Sequence, residues 1–223
     1  MSAVSPFKIV VAVSGQGRSL GNLIKEQHQC GDFSVVGVIS SKRSCGAVEL
    51  AQENFLPVYI DAFDRGDDPA EELCRWLKLV EPDMIVLAGF LKKFPTRFVE
   101  SCPGTDCMIN IHPSLLPKHG GPGMYGNKVH ESVLKAGDVM TGASIHLVTN
   151  KYDHGNLVSQ IRVPVMPDDT IRSLASRVFA AECRLLPATI KAFAQECRSG
   201  QDEMCLNKIK RNRMLNRTIQ EIS

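Results

Sequence analysis

Four short runs rich in apolar and β-branched residues, Lys8–Val13, Phe33–Ser40, Val58–Asp61 and Met84–Phe90, alternate with segments of helical periodicity. Leu20, Leu23 and Ile24 mark one face of the first helical segment, Gly46–Asn54 reads as the second, and Leu73, Trp76, Leu77 and Val80 form the stripe of the third. Asp68-Pro69 supplies that third helix with an N-cap and a proline at its first position, and Pro82 ends it. Repeated strand–helix–strand units build a parallel sheet, because each strand must return to the same edge of the sheet through a crossover. Met84–Phe90 is apolar throughout, as a strand covered on both faces requires.

The later part of the chain changes character. Cys107–Ile111 reads as a fifth strand and Gly126–Lys135 as a helix. Thr141–Val148 and Leu157–Val165 flank the turn residues Asp153-His154-Gly155-Asn156, which predicts an antiparallel hairpin. A long helix follows from Asp169 to Arg198, with a disturbance expected at Pro187. The expected fold is α/β: a Rossmann-like, mostly parallel seven-stranded sheet with helices on both faces and an antiparallel hairpin near the C-terminal part. One domain is expected over residues 1–199, with a basic C-terminal tail over 200–223.

Composition narrows the classes of function. A chain of 223 residues can bury a sizeable core, and 43% hydrophobic with 22% charged residues is the balance of a soluble globular protein. A net charge of +2 gives no general electrostatic case for nucleic acid or membrane. From Gly200 onward, Lys208, Lys210, Arg211, Arg213 and Arg217 outnumber Asp202, Glu203 and Glu221, so the surplus lies in the tail. Cys30, Cys45, Cys74, Cys102, Cys107, Cys183, Cys197 and Cys205 show no C-x-x-C spacing and mostly lie in apolar runs. Buried, reduced thiols in a cytoplasmic protein are expected, with no metal site. The apolar run Ile9–Val13 is too short to span a bilayer, and no signal peptide is expected at the N-terminus.

Four places could carry chemistry. Gly15-Gln16-Gly17-Arg18-Ser19-Leu20 joins the first strand to the first helix, where backbone N–H groups and the helix dipole favour an anion. Leu20 replaces the third glycine of the dinucleotide fingerprint, and no Gly-Lys-Ser/Thr follows, so a dinucleotide is disfavoured and a P-loop excluded. Phosphate binding by Gly17, Arg18 and Ser19 and a plain tight turn explain the loop equally well.

In Asn110-Ile111-His112-Pro113-Ser114-Leu115-Leu116-Pro117, strand alternation points Asn110 and His112 the same way at the carboxyl end of a strand. Histidine titrates within the working range of pH, and an asparagine amide can donate to a developing oxyanion. Asp153, if carried to His112, would favour the imidazolium and could take a proton through a water; an Asp-x-Gly turn is otherwise only a turn. His146 is a candidate neighbour of that group, although a core histidine is the commoner outcome. His28, His119, His130 and His154 show no partner pattern. Glu182 falls within the apolar stripe Ile171, Leu174, Ala175, Val178, Leu185 and Thr189, so its carboxylate needs a partner, either a buried arginine or a cationic ligand group.

On these residues the sequence resembles the folate-dependent formyltransferases, over Lys8 to Phe193. The shared signature is Asn110-x-His112-Pro113-Ser114-Leu115-Leu116-Pro117 with Asp153 after it, which is specific for the superfamily and not for one member. The compact length, the glycine loop and Glu182 resemble the phosphoribosylglycinamide formyltransferases of purine biosynthesis. The resemblance implies formyl transfer from 10-formyltetrahydrofolate, a co-substrate, to the amine of glycinamide ribonucleotide, with no metal. It implies that Asn110 and His112 stabilise the oxyanion, His112 donates a proton, and Asp153 raises the His112 pKa and relays a proton. Gly17, Arg18 and Ser19 would hold the phosphate and Glu182 the ribose or amine end. Leu91-Lys92-Lys93-Phe94 would line the folate pocket beside Thr149 and Asn150. The partners expected are these small molecules, without nucleic acid or membrane, in a monomer or homodimer. The family's phosphate loop usually ends Gly-Ser-Asn-Leu where this chain has Gly17-Arg18-Ser19-Leu20, and an arginine expected after the third strand has no match, Arg65 being offset. The alternatives are another folate-dependent formyl enzyme, either a deformylase or a transferase with a different amine acceptor, and a nucleotide-binding module without catalysis.

Overall fold

The computed structural model of the chain describes residues 5–63, 70–101 and 108–199. The expected Asp68-Pro69 helix start, Arg65, Cys102, Cys107, Cys205 and the basic tail lie outside these residues. Seven strands alternate with six helices among the described residues. The strands are β1 (Phe7–Val13), β2 (Phe33–Ser40), β3 (Val58–Ile60), β4 (Met84–Ala88), β5 (Met108–His112), β6 (Met140–Leu147) and β7 (Leu157–Pro164). The helices are α1 (Arg18–Cys30), α2 (Gly46–Glu53), α3 (Ala70–Val80), α4 (Thr96–Ser101), α5 (Asn127–Ala136) and α6 (Ile171–Ser199). The strand order of the sheet is β3-β2-β1-β4-β5-β6-β7. The chain clusters into two compact units, Met1–Ile109 and Asn110–Ser223.

In the first unit, β1 pairs in parallel with both β2 and β4, and β2 with β3. All five residues of β4 and six of the seven of β1 are buried, which places apolar cover on both faces. The winding reverses at β1: the chain moves outward to β3, then returns to β4 on the other side. A crevice at the carboxyl ends of β1 and β4 is therefore the expected ligand position in such a sheet. Ser14, 2% exposed, ties these ends together. Its N–H donates to the Gly89 carbonyl at 3.1 Å, and its Oγ accepts from Leu91 N–H at 2.9 Å and from Ser41 Oγ at 2.7 Å.

In the second unit, β6 and β7 form the expected antiparallel hairpin. Helix α6 runs unbroken through Pro187, contrary to the expected disturbance. Pro187 is buried in a helix that packs on α5, β6 and β7, and this packing outweighs the lost hydrogen bond. Reciprocal bonds start α6: Ser173 N–H donates to Thr170 Oγ1 at 3.1 Å, and Thr170 N–H to Ser173 Oγ at 2.9 Å. Helix α4 is absent from the sequence reading, because six residues after Pro95 are too few to show a period. The described cysteines Cys30, Cys45, Cys74, Cys183 and Cys197 are free thiols and half-buried, not buried as expected. Among the described residues no helix is long and apolar enough to cross a membrane.

Candidate active site

The side-chain cluster lies within the second unit. Strand alternation puts Asn110 and His112 on one face of β5, while Ile109 and Ile111 are buried on the other. His112 is 3% exposed, and its Nε2 lies 2.9 Å from the His119 carbonyl oxygen. A carbonyl only accepts, so Nε2 carries the hydrogen and the neutral ring has its lone pair at Nδ1. That Nδ1 lies 3.6 Å from Asp153 Oδ2.

Asp153 reaches the cluster from the turn between β6 and β7, in a left-handed conformation with φ 55°. Its Oδ2 accepts the Gly121 N–H at 2.8 Å, and Asn110 Nδ2 donates to its Oδ1 at 3.4 Å. Burial alone would raise the Asp153 pKa, but the His146 contact, the His112 charge and the Gly121 N–H together hold it below the ordinary carboxylate value. Asp153 therefore stays ionised and the cluster keeps a fixed negative charge.

His146 completes the group. β6 is buried from Thr141 through His146, which places cover on both of its faces, and its pairing with β7 shifts register between Ile145 and His146. His146 Nδ1 donates to the Leu147 carbonyl at 2.9 Å, which leaves Nε2 to accept from Asn110 Nδ2 at 3.0 Å. His146 Nε2 also lies 3.4 Å from Asp153 Oδ1. Both N–H bonds of the Asn110 amide are thus engaged, the longer one to Asp153. An oxyanion can compete for that longer, weaker bond.

The Asp153 charge pulls the His112 pKa up, as expected, and the His119 carbonyl adds to that pull, but burial is the larger cause and leaves the pKa below the ordinary histidine value. His146, expected as no more than a neighbour, touches both Asn110 and Asp153. His119 had no visible partner in the sequence, yet its carbonyl holds His112 and its ring bonds Ser132 and Asp138. His130 is buried on α5 with its pKa lowered, by burial first and then by His112. His28 and His154 are exposed.

The remaining candidates fall in different places. In the first unit, Gly17 caps α1 at φ 75°, and a side chain there would press Ala47 at 2.8 Å, so this position requires glycine. The first turn of α1 carries no acidic residue, which leaves its N–H groups and dipole open to an anion. Arg18 is exposed and Ser19 half-buried beside them. Leu91, Lys92 and Lys93 follow β4 and are exposed, whereas Phe94 is buried in an aromatic ladder with Phe63, Phe90 and Phe98, with centroids 5.0–5.4 Å from Phe94. In the second unit, Thr149 Oγ1 accepts from Lys151 N–H at 3.3 Å and donates to its carbonyl at 3.1 Å, and Asn150 is half-buried. Glu182 is half-buried on α6. Among the described residues no group of His, Cys, Asp and Glu could hold a metal ion.

Comparison with known proteins gives the same direction. The profile of the formyl transferase family matches residues 7–190. The phosphoribosylglycinamide formyltransferase of Escherichia coli (strain K12) is 33% identical over 195 residues, covering 84% of this chain and 87% of the relative. The chloroplastic enzyme of that name from Arabidopsis thaliana is 37% identical over 199 residues, covering 85% of this chain; the chain spans 66% of that relative's length. The solved phosphoribosylglycinamide formyltransferase of Coxiella burnetii superposes with a TM-score of 0.77 at 35% identity, covering 86% of this chain and 88% of that one.

Proposed function

The chain belongs to the formyl transferase family, and from that premise we propose that it transfers a formyl group from 10-formyltetrahydrofolate to the amine of N1-(5-phosphoribosyl)glycinamide, in purine biosynthesis. The observation that carries this reading is the buried contact set of Asn110, His112, His146 and Asp153, which joins a donor amide, an imidazole and an ionised carboxylate.

The amine lone pair adds to the formyl carbon and gives a tetrahedral oxyanion. Asn110 N–H and protonated His112 stabilise that oxygen. Asp153 accepts the proton lost by the attacking amine, through one water. The carbon–N10 bond then breaks, the C=O re-forms, and N10 of the leaving tetrahydrofolate takes a proton from the His112 side. Nδ1 is the His112 nitrogen that acts, since Nε2 is held by the His119 carbonyl. Gly17, Arg18 and Ser19 hold the phosphate and Glu182 the ribose or amine end. Leu91, Lys92, Lys93 and Phe94 line the folate side with Thr149 and Asn150; Phe94, being buried, acts as their support. Residues 1–199 form the formyltransferase domain and 200–223 a basic appendage. The protein works in the cytoplasm on small molecules, as a monomer or homodimer.

The test follows the absorbance change as 10-formyl-5,8-dideazafolate, a stable donor analogue, loses its formyl group. Turnover that requires glycinamide ribonucleotide is the expected result. Turnover without it would replace this reading with a deformylase, and no turnover with either would remove it.

A further inference from the structure

His119 is joined to the cluster in a way that the reaction itself does not require. Its ring is clamped between two groups outside the cluster. Nδ1 lies 2.8 Å from Ser132 Oγ on α5, and Nε2 lies 2.8 Å from Asp138 Oδ2, just past the end of α5. Asp138 accepts, so Nε2 carries a hydrogen and the neutral ring accepts from Ser132 at Nδ1. Lys118 Nζ holds the other oxygen of Asp138 at 2.9 Å.

The backbone beside this ring makes two contacts with the cluster. The His119 carbonyl takes the His112 Nε2–H, and Gly121 N–H donates to Asp153. Between them, Gly120 passes so close to Leu116 and Asp153 that a side chain there would collide with Leu116 and lie 3.2 Å from Asp153 Cβ. His119 itself is left-handed, φ 56°, a conformation that a non-glycine residue keeps only when something holds it.

We propose that His119 is a positioning residue: its side chain, anchored to Ser132 and Asp138, fixes the 119–121 backbone, which in turn sets the tautomer of His112 and the orientation of Asp153. This rests on the formyl-transfer reading for its consequence in catalysis, but not for its geometry. Loosening the anchor lets the His119 carbonyl drift. His112 then loses one of the two contacts that favour its protonated form, while burial continues to oppose it. The titratable groups that act on His112 are Asp153, His146 and His119, and His112 in turn acts on His130 of α5.

Two variants break the anchor differently. His119→Asn keeps a residue that tolerates the left-handed backbone but is too short to bridge both partners. Asp138→Ala removes the carboxylate alone. Asp138→Asn leaves an acceptor for the His119 Nε2–H. Two-bond proton–nitrogen NMR of the imidazoles reads the His112 tautomer and titration directly, and the formyl-transfer assay runs beside it. In His119→Asn and Asp138→Ala the Nε2–H signature of His112 weakens, and in Asp138→Ala, which keeps the His119 ring, the titration of His112 moves to lower pH. In the same two variants kcat falls about 10-fold while KM stays within about twofold, and Asp138→Asn stays near the parent. Unchanged His112 signals and titration in both folded variants overturn the proposal. If the parent protein transfers no formyl group, the NMR result still decides the anchor, and only the assigned reaction falls.

Discussion

The glycine loop of the first unit and the Asn110–His112–His146–Asp153 cluster of the second are proposed as sites of opposite kinds. The loop offers backbone: Gly17 turns left-handed against Ala47 and opens the N–H groups of α1. If the loop holds the phosphate as proposed, side-chain identity matters little there, and Gly17-Arg18-Ser19-Leu20 can stand where the family usually has Gly-Ser-Asn-Leu. The cluster offers side chains gathered from β5, β6 and the turn after it, and each is engaged by at least one other. A backbone site is sensitive to shape and tolerant of chemistry. A side-chain site is the reverse.

The comparison breaks first where the effect is largest. Asp153→Asn keeps the shape and removes the charge. We expect kcat to fall about 1,000-fold or more with little change in KM, as when a group acting only in the transition state is lost. The pH profile of kcat/KM sharpens the point. Burial puts the His112 pKa below its ordinary value, so activity that needs the imidazolium declines with rising pH through a limb below the usual histidine range. Removing the Asp153 charge, which pulls that pKa up, moves the limb to still lower pH. A limb that stays in place would separate Asp153 from His112.

Gly17→Val tests the loop by shape. The added side chain meets Ala47 and cannot hold φ 75°, so KM for the ribonucleotide should rise about 100-fold, with kcat at saturation affected less. Equal loss in kcat at saturating substrate would show that the loop takes part in more than binding. Arg18→Ala tests it by chemistry and should have the smallest effect. An exposed cation beside backbone donors is expected to change KM about 3- to 10-fold at low salt, and less as salt screens it. A rise as large as that of Gly17→Val, measured by steady-state kinetics at two ionic strengths, would make the loop a side-chain site after all.

Legibility in the sequence follows the same division. Strand and helix periods gave β1, β2, β4, the hairpin and the long α6 to within a few residues, because each buries a continuous apolar face. The six residues of α4 were not legible, and the proline of α6 was over-read, since packing decided both. In the cluster, Asn110 and His112 were readable from strand alternation, and Asp153 as a turn carboxylate that could reach His112, a reading the resemblance strengthened. His119 escaped, and His146 was legible only as a candidate neighbour. Their roles come from a backbone carbonyl and from contacts made between neighbouring segments, neither of which is a residue type. The balance of the His112 pKa also escaped: the upward pull of Asp153 was legible, but the burial that outweighs it comes from packing.

The place of His146 on β6 has a consequence for how this chain can change. Side chains on a strand alternate with a period of two, so removing one residue from β6 would turn every later position to the opposite face. His146 would then leave Asn110 and Asp153, although no residue of the cluster had been replaced. At this strand the arrangement is recorded in length rather than in spelling, and a single-codon deletion there is a more severe lesion than most single substitutions.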